Sequence, residues 1–419
     1  MRNKIVYIIY LLVVVLAVFG SIEVALNYLM NHPEKCPEKW KDIIIRYYKD
    51  HDTYFIQQEE DMAQYDSTLF YTLKPGKFTF YNREFSTPYV VNSIGVRDDE
   101  ASLNYPKIVM VGDSYGMGWG VDQDKTYASL VEKELGVKVL NTAISSYGTP
   151  REMKMLDRVK TDSLDYLVIQ YCPNDYIEIA EYIRHNHQLV VSPQSTYDSI
   201  CKVVKDRTHY YPFKTTRELL PMLLNEKPKV DSLTDGKMNK KPVKPPVNVA
   251  KGFLDAIRYS SNLPSHTKIY IFTLHEKGFT NYFLENVSKT LNMEFSSSLH
   301  DRITFLDFST VLKPEDYFVL DIHVNESAHQ IIADTLVKYI KQKPIGKHQK
   351  KWYYDNGNVS IQASYVNHYK EGITTYYWPS GNKSMQTNYI KGAKNGLEVQ
   401  YNEDGVEVNR RIYKKGVVQ

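Results

Sequence analysis

Three cysteines in 419 residues, Cys36, Cys172 and Cys201, are too few for a disulfide scaffold, and their spacing matches no metal site. A Cys36–Cys201 bridge would require an exported chain, and Cys172 lies in the apolar run Leu167–Cys172, the setting of an inert core thiol. Charge of one sign is lacking too. Lys+Arg number 52 against 49 Asp+Glu, a formal net charge of +3, so nucleic acid is not the expected partner. No phosphate-cradling glycine loop and no metal-ligand cluster stands out, and no cofactor is expected. Only one long hydrophobic run is present. With 42% apolar and 24% charged residues, this excludes both a multi-spanning membrane protein and a wholly disordered chain. At roughly 150 residues per domain the length suits two to three units. Tyrosine is in excess, 35 against 15 phenylalanines. It suits carbohydrate or polar-ligand surfaces, and tyrosine-rich β structure explains it equally well.

The hydrophobic run decides the compartment. Arg2 and Lys4 precede the uncharged residues Ile5 to Ile22. As a helix that run spans about 27 Å, close to the hydrocarbon thickness of a bilayer. Basic residues on its short N-terminal side place that end in the cytoplasm and the remainder outside, on the periplasmic side of a bacterial inner membrane. A cleaved signal peptide is the competing reading, which would make the protein secreted. Its apolar region should be shorter and end in a small-x-small site, whereas the exit here is Val18-Phe19-Gly20-Ser21-Ile22-Glu23. An uncleaved anchor over residues 1–30 is favoured.

Residues 31–104 follow as a helical stalk, with Trp40, Ile43, Ile44 and Tyr47 at helical spacing, and a β lead-in alternating from Phe78 to Val91. From 105 to 345 the rhythm is strand, helix, strand. Strands are expected at 107–111, 137–140, 166–171, 268–272 and 303–306, and helices at 127–135, 153–159 and after Asn325. This alternation predicts a parallel sheet covered on both faces, with functional groups at the carboxyl ends of its strands. The segment 176–250 interrupts it as an inserted loop. Its last part, Glu226–Val249, holds four prolines and six lysines and reads as a solvated linker, with a lysine-rich lip for an anionic polymer as the lesser alternative.

The region 350–419 repeats. Gly357, Gly381 and Gly405 are 24 apart, as are Tyr353, Tyr377 and Tyr401, and Tyr365, Tyr389 and Tyr413. Three registers on one period signal stacked units, each a hairpin turning at Asp355-Asn356-Gly357, Ser380-Gly381 or Asp404-Gly405. The units resemble MORN-type repeats, which implies a structural or interaction surface for a protein or envelope partner.

The first strand of the α/β region runs straight into Gly112-Asp113-Ser114-Tyr115-Gly116. A serine on such a turn sits at the top of the sheet and needs a base to act as a nucleophile. Asp321-Ile322-His323 offers one: an aspartate two residues before a histidine can bind Nδ1 and fix the tautomer, leaving Nε2 to accept the serine proton. A lone histidine is more often structural, and Asp321 is what favours His323 over the other eleven. The loop Asn141–Thr149 and the segment Cys172-Pro173-Asn174-Asp175 follow the second and third strands. Their backbone amides and the Asn174 side chain are candidate donors to an oxyanion, although Asn174-Asp175 also suits a helix cap.

These four blocks, in this order over about 105–342, resemble the SGNH (GDSL-like) hydrolase family. The resemblance implies a flavodoxin-like three-layer α/β sandwich with a parallel sheet, carrying here an N-terminal transmembrane helix and a C-terminal all-β repeat tail. It also implies Ser114 as nucleophile, His323 as base, Asp321 as the orienting carboxylate, and an oxyanion hole from Ser114, the second-block amide and Asn174. One departure is visible. Ser146 stands where the family carries its oxyanion glycine, and Gly148 is the alternative donor; a positive φ there would strain serine. The expected activity is a serine esterase or O-acyltransferase acting on an acylated carbohydrate or small ester, the acyl group being acetyl. Two other readings remain. An α/β-hydrolase elbow shares Gly-x-Ser-x-Gly, but the Asp-x-His spacing argues against it. A non-catalytic anchored adaptor would use the repeats to bind a partner.

Overall fold

The computed structural model describes residues 2–225, 248–275, 283–308, 311–342, 348–354, 356–366, 369–390 and 393–419. Most of the expected linker Glu226–Val249 lies outside the described residues. The chain divides into two compact units, Met1–Pro264 with Ile269–Asp334, and Ser265–Lys268 with Thr335–Gln419.

The first unit opens with helices α1 (Arg2–Asn31) and α2 (Glu38–Tyr47) and two antiparallel strand pairs, β1 (Ala63–Asp66) with β2 (Phe70–Leu73) and β3 (Gly76–Asn82) with β4 (Phe85–Val91). Then come β5 (Ile108–Val111), α3 (Ser114–Met117), α4 (Tyr127–Leu135), β6 (Val139–Asn141), α5 (Thr149–Met155), β7 (Tyr166–Tyr171), α6 (Tyr176–Arg184), α7 (Gln194–Thr208), α8 (Lys214–Asn225) and α9 (Val249–Arg258). β8 (Lys268–Thr273), α10 (Phe283–Glu294), α11 (Ser297–His300), β9 (Ile303–Phe305) and α12 (Glu326–Gln342) complete the α/β region. Its five-stranded sheet has the order β6-β5-β7-β8-β9, with β5 parallel to both β6 and β7 and β8 parallel to β9. Numbered from the first strand this is 2-1-3-4-5, the flavodoxin-like order, which reverses beside β5.

All four residues of β5 are buried, as are all six of β7, so both faces of the sheet are covered. On one face Val109, Val111, Leu167, Ile169 and Ile271 share a core with Met153 of α5, Phe253 and Leu254 of α9 and Val287 of α10. On the other, Tyr127 of α4 stacks on His329 of α12 and meets Phe272 of β8 edge-on. Each such large apolar side chain contributes roughly 1.5–3 kcal/mol on burial. The hairpin β3–β4 joins a further cluster: Phe80, Tyr89 and Val91 pack with Met117, Trp119 and Ala143 and so cover the segment after Ser114.

Several local expectations need correction. The second strand starts at Val139 rather than 137. The helix expected at 153–159 begins at Thr149, because Gly148 supplies its N-cap and Pro150 suits its first turn. The inserted segment is not a loop over 176–225 but three helices, α6 to α8, whose apolar faces bury Ile179, Tyr197, Leu219 and others. The helix expected around Trp40, Ile43, Ile44 and Tyr47 is α2, with Ile43, Ile44 and Tyr47 buried, but the stalk is not helical throughout: Ala63–Asp66 and Phe70–Leu73 pair as strands. All three cysteines are free and buried, so no Cys36–Cys201 bridge is present.

The second unit is an antiparallel sheet with the order β10-β11-β13-β14-β15-β16-β17 and a short β12 beside β11. The strands are β10 (His348–Tyr353), β11 (Val359–Val366), β12 (Tyr369–Lys370), β13 (Gly372–Tyr377), β14 (Lys383–Ile390), β15 (Ala393–Tyr401), β16 (Glu407–Lys414) and β17 (Val417–Val418). The 24-residue period has a geometric basis. Gly357, Gly381 and Gly405 take φ of 84°, 93° and 82°, which an L side chain resists, and the strand register shifts at Tyr353, Tyr377 and Tyr401. Tyr354 donates to the Tyr377 carbonyl at 2.7 Å and Trp378 to the Tyr401 carbonyl at 3.2 Å, the same link one repeat later.

Candidate active site

β5 runs into Gly112, where a Cβ would come within 2.6 Å of the Gln170 side-chain oxygen of β7. Glycine therefore lets the chain turn tightly against the neighbouring strand. Gln170 Oε1 accepts from the Asp113 and Gly116 amides at 3.2 and 2.9 Å, and the Asp113 carboxylate caps α3 by accepting from the Tyr115 amide at 3.0 Å. These bonds hold the turn from both sides and leave Ser114 at the start of α3, at the carboxyl end of the sheet.

His323 reaches it from the loop before α12. Its Nε2 lies 2.7 Å from Ser114 Oγ, and its Nδ1 is hydrogen-bonded to Asp321 Oδ1, which also accepts from the His323 amide at 3.1 Å. With Nδ1–H donating to the Asp321 carboxylate, Nε2 is left to accept from the serine hydroxyl. The imidazole lies flat on Trp119, with ring centroids 4.8 Å apart and planes 18° apart, and Tyr115 flanks it at 4.8 Å. The three residues expected from the sequence, Ser114, His323 and Asp321, thus stand in series, each hydrogen-bonded to the next.

The groups that hold them in place carry no mark in the sequence. The second oxygen of Asp321 accepts from Tyr48 Oη and from Trp119 Nε1, each at 3.0 Å. Burial pushes the Asp321 carboxyl up, but the neighbouring His323 and the bonds from His323 and Tyr48 outweigh it and hold the group below the usual carboxylate range. Glu84, in the turn of the β3–β4 hairpin, accepts from three consecutive amides of the histidine loop: Val319 at 2.7 Å, Leu320 at 2.8 Å and Asp321 at 2.8 Å. Burial raises its own carboxyl, and the three amides oppose that. Arg97 lies buried over the Tyr89 ring at 3.6 Å and donates to the carbonyls of Met117, Gly118 and Val121, fixing the segment that carries Trp119. None of Tyr48, Glu84, Arg97 or Trp119 has a sequence neighbour that marks it.

The expected oxyanion donors occupy the loops after β6 and β7. Ser146 is exposed and has φ of 60°, the left-handed region, and its hydroxyl accepts from Gln57 Nε2 at 3.0 Å. A conformation that glycine would tolerate is therefore imposed on serine here. Gly148, the alternative, has φ of −102° and caps α5; what requires glycine there is space, since a Cβ would sit 2.9 Å from that of Glu178. Asn174 lies exposed in the short 3₁₀ turn after β7. Among the described residues neither Ser146 nor Asn174 is hydrogen-bonded to Ser114. Asn141 ties the second block to the first, donating to the Gly116 carbonyl at 3.0 Å. Beneath the loops, burial holds the carboxyls of Asp113, Glu152 and Asp175 above their ordinary values, which favours their neutral forms. Among the described residues, no group of acidic, histidine or cysteine side chains is arranged to hold a metal ion.

No protein-family profile matches the chain, and no curated protein sequence matches it. Solved structures do resemble it. One is a carbohydrate esterase family 2 enzyme with a carbohydrate-binding domain from Corynascus thermopiles (Myceliophthora fergusii), at 14% identity and a TM-score of 0.32 over 57% of this chain and 66% of that one. A family two carbohydrate esterase from Clostridium thermocellum in complex with cellohexaose aligns at 13% identity, with a TM-score of 0.32 over 57% and 64%. A member of the lipolytic protein G-D-S-L family from Veillonella parvula aligns at 14% identity, with a TM-score of 0.32 over 56% and 98%. The chain spans about two thirds of the length of the two carbohydrate esterases.

Proposed function

We propose that the protein is a membrane-anchored serine esterase of SGNH type, facing outside the cytoplasm and cleaving or transferring an acyl ester through Ser114, His323 and Asp321. The observation that carries the reading is the hydrogen bond of 2.7 Å between Ser114 Oγ and His323 Nε2, with the other ring nitrogen on a buried carboxylate. In this reading His323 takes the hydroxyl proton as Ser114 attacks the ester carbonyl, and Asp321 stabilises the imidazolium that forms. The tetrahedral oxyanion is met by the Ser114 amide, the Ser146 amide and the Asn174 side chain. His323 then returns its proton to the departing alcohol. Water, or a sugar hydroxyl in the transfer reaction, enters with His323 again as base and releases the acyl group.

The substrate class is an acetylated carbohydrate or a similar small ester, and the repeats serve as a surface for a protein or envelope partner. The α1 helix, long and apolar enough to cross a membrane, supports the location. Purified full-length protein should hydrolyse an aryl acetate, and Ser114→Ala should lower kcat by three or more orders of magnitude. A Ser114→Ala protein as active as the parent would remove the proposal, and a parent that turns over no ester would favour the adaptor reading.

A further inference from the structure

Helix α1 changes character midway. Every residue from Ile5 to Phe19 is exposed, on all sides of the helix. Beyond Ser21 the pattern becomes one-sided: Glu23, Leu26 and Met30 are buried, while Val24, Ala25 and Tyr28 are exposed. The buried stripe docks on α8. The Glu23 carboxylate accepts from the Thr215 amide at 3.3 Å and from the Thr216 amide and hydroxyl at 2.7 Å each, capping the first turn of that helix. Asn27 adds a bond of 3.2 Å to the Thr215 hydroxyl. Leu26 and Met30 enter the cluster of Ile43, Ile44, Tyr47, Tyr48, Leu219 and Leu320.

Two members of that cluster touch the candidate active site. Tyr48 donates to Asp321, and Leu320 precedes it in the chain. A second path leads to the same place: Asn31, the last residue of α1, accepts from Arg83 at 3.1 Å, and the adjacent Glu84 holds the Asp321 loop by its amides. An exposed apolar cylinder of 15 residues, Ile5–Phe19, thus continues without a break into a segment built into the catalytic unit.

We propose that α1 is a rigid mast rather than a tether. Its first half is covered by a lipid bilayer and its second half belongs to the catalytic unit, so Ser114 is held at a fixed, short height over the membrane and acts on acyl esters borne by lipid anchors at that surface. Met30 lies ten residues beyond Gly20, a rise of about 15 Å along the helix, and its cluster already includes the residue next to Asp321. A site held so close, with no flexible spacer, meets membrane-borne substrates at raised effective concentration. The same docking disfavours cleavage within Glu23–Asn31, which would strip the cap from α8 and open the cluster. The substrate part of this inference rests on the esterase reading; the rigid coupling does not.

The test uses the full chain in phosphatidylcholine vesicles, with and without a twelve-residue Gly/Ser insert between Ser21 and Ile22. The insert leaves the docked half whole. An Ile177→Cys label on the exposed start of α6 reports height by energy transfer to acceptor lipids, the three native cysteines being buried. Activity is read on an aryl acetate carrying a diacylglycerol tail and on the same ester without it. The insert should lower transfer at least twofold and the preference for the tailed ester at least fivefold, with the tail-less rate unchanged. Unchanged transfer or preference would overturn the proposal, and so would loss of the tail-less rate in the insert alone. Turnover of neither ester by the parent, with transfer still falling on insertion, would instead remove the esterase reading and the substrate part while the rigid mast stands.

Discussion

Tyr48→Phe isolates one interaction at the centre of the site. The side chain is buried, and its hydroxyl donates to Asp321 Oδ2 at 3.0 Å. Phenylalanine keeps the ring and its packing against Ile43, Ile44 and Leu320 but deletes the donor. A hydrogen bond to a charged, buried group is worth about 1.5–3 kcal/mol, which corresponds to a melting temperature lower by ~2–4 °C for a unit of this size. The pH dependence has a definite sign. The folded-state pKa of Asp321 is depressed, so its contribution to stability is present above the unfolded carboxylate value and is lost as pH falls through the folded one. Removing one stabilising donor raises the folded value, so the acid limb of the stability curve should move to higher pH. Thermal melts from pH 3 to pH 8 read both effects. A Tyr48→Phe protein with the parent's melting temperature and the same acid limb would refute the claim that this hydroxyl stabilises the ionised carboxylate.

Glu84→Ala should leave three loop amides without their acceptor and cut kcat on an aryl ester about tenfold with KM little changed. Glu84→Gln, which keeps one carbonyl oxygen, should recover part of that in steady-state kinetics. Ser146→Gly should retain activity and gain up to about 1 kcal/mol in denaturant unfolding, because relief of the left-handed backbone exceeds loss of the Gln57 contact. In the repeats, a Cβ on Gly405 meets nothing within 4 Å, yet Gly405→Ala should destabilise the sheet by about 1–2 kcal/mol in thermal unfolding, from φ alone.

The parallel sheet was legible in the sequence because its strands are short apolar runs ending at Gly112, Asn141 and Cys172, and alternation with helices leaves few topologies. The pairing of Ser114 with His323 was legible for a chemical reason: a serine on a strand-leaving turn needs a base, and an aspartate two residues from a histidine marks one. What escaped is whatever acts through a single side chain from a distant element. Glu84 sits in a hairpin turn where a carboxylate is ordinary, and Tyr48 is one of 35 tyrosines. Glu23 looks like the charged exit of a membrane span until α8 is placed beside it. The helices over 176–225 were missed because proximity to the lysine- and proline-rich stretch coloured the whole segment as a loop. The repeats were read from period alone, and the positive φ of their turn glycines explains why that period is kept.

The most direct measurement is covalent labelling of the folded full-length protein with a fluorophosphonate, followed by peptide mapping, in parallel with His323→Ala. A single adduct on Ser114 is expected in the parent chain, with a labelling rate lower by at least a hundredfold in the variant. An unlabelled parent, or equal labelling of Ser114 with and without the imidazole, would contradict that expectation.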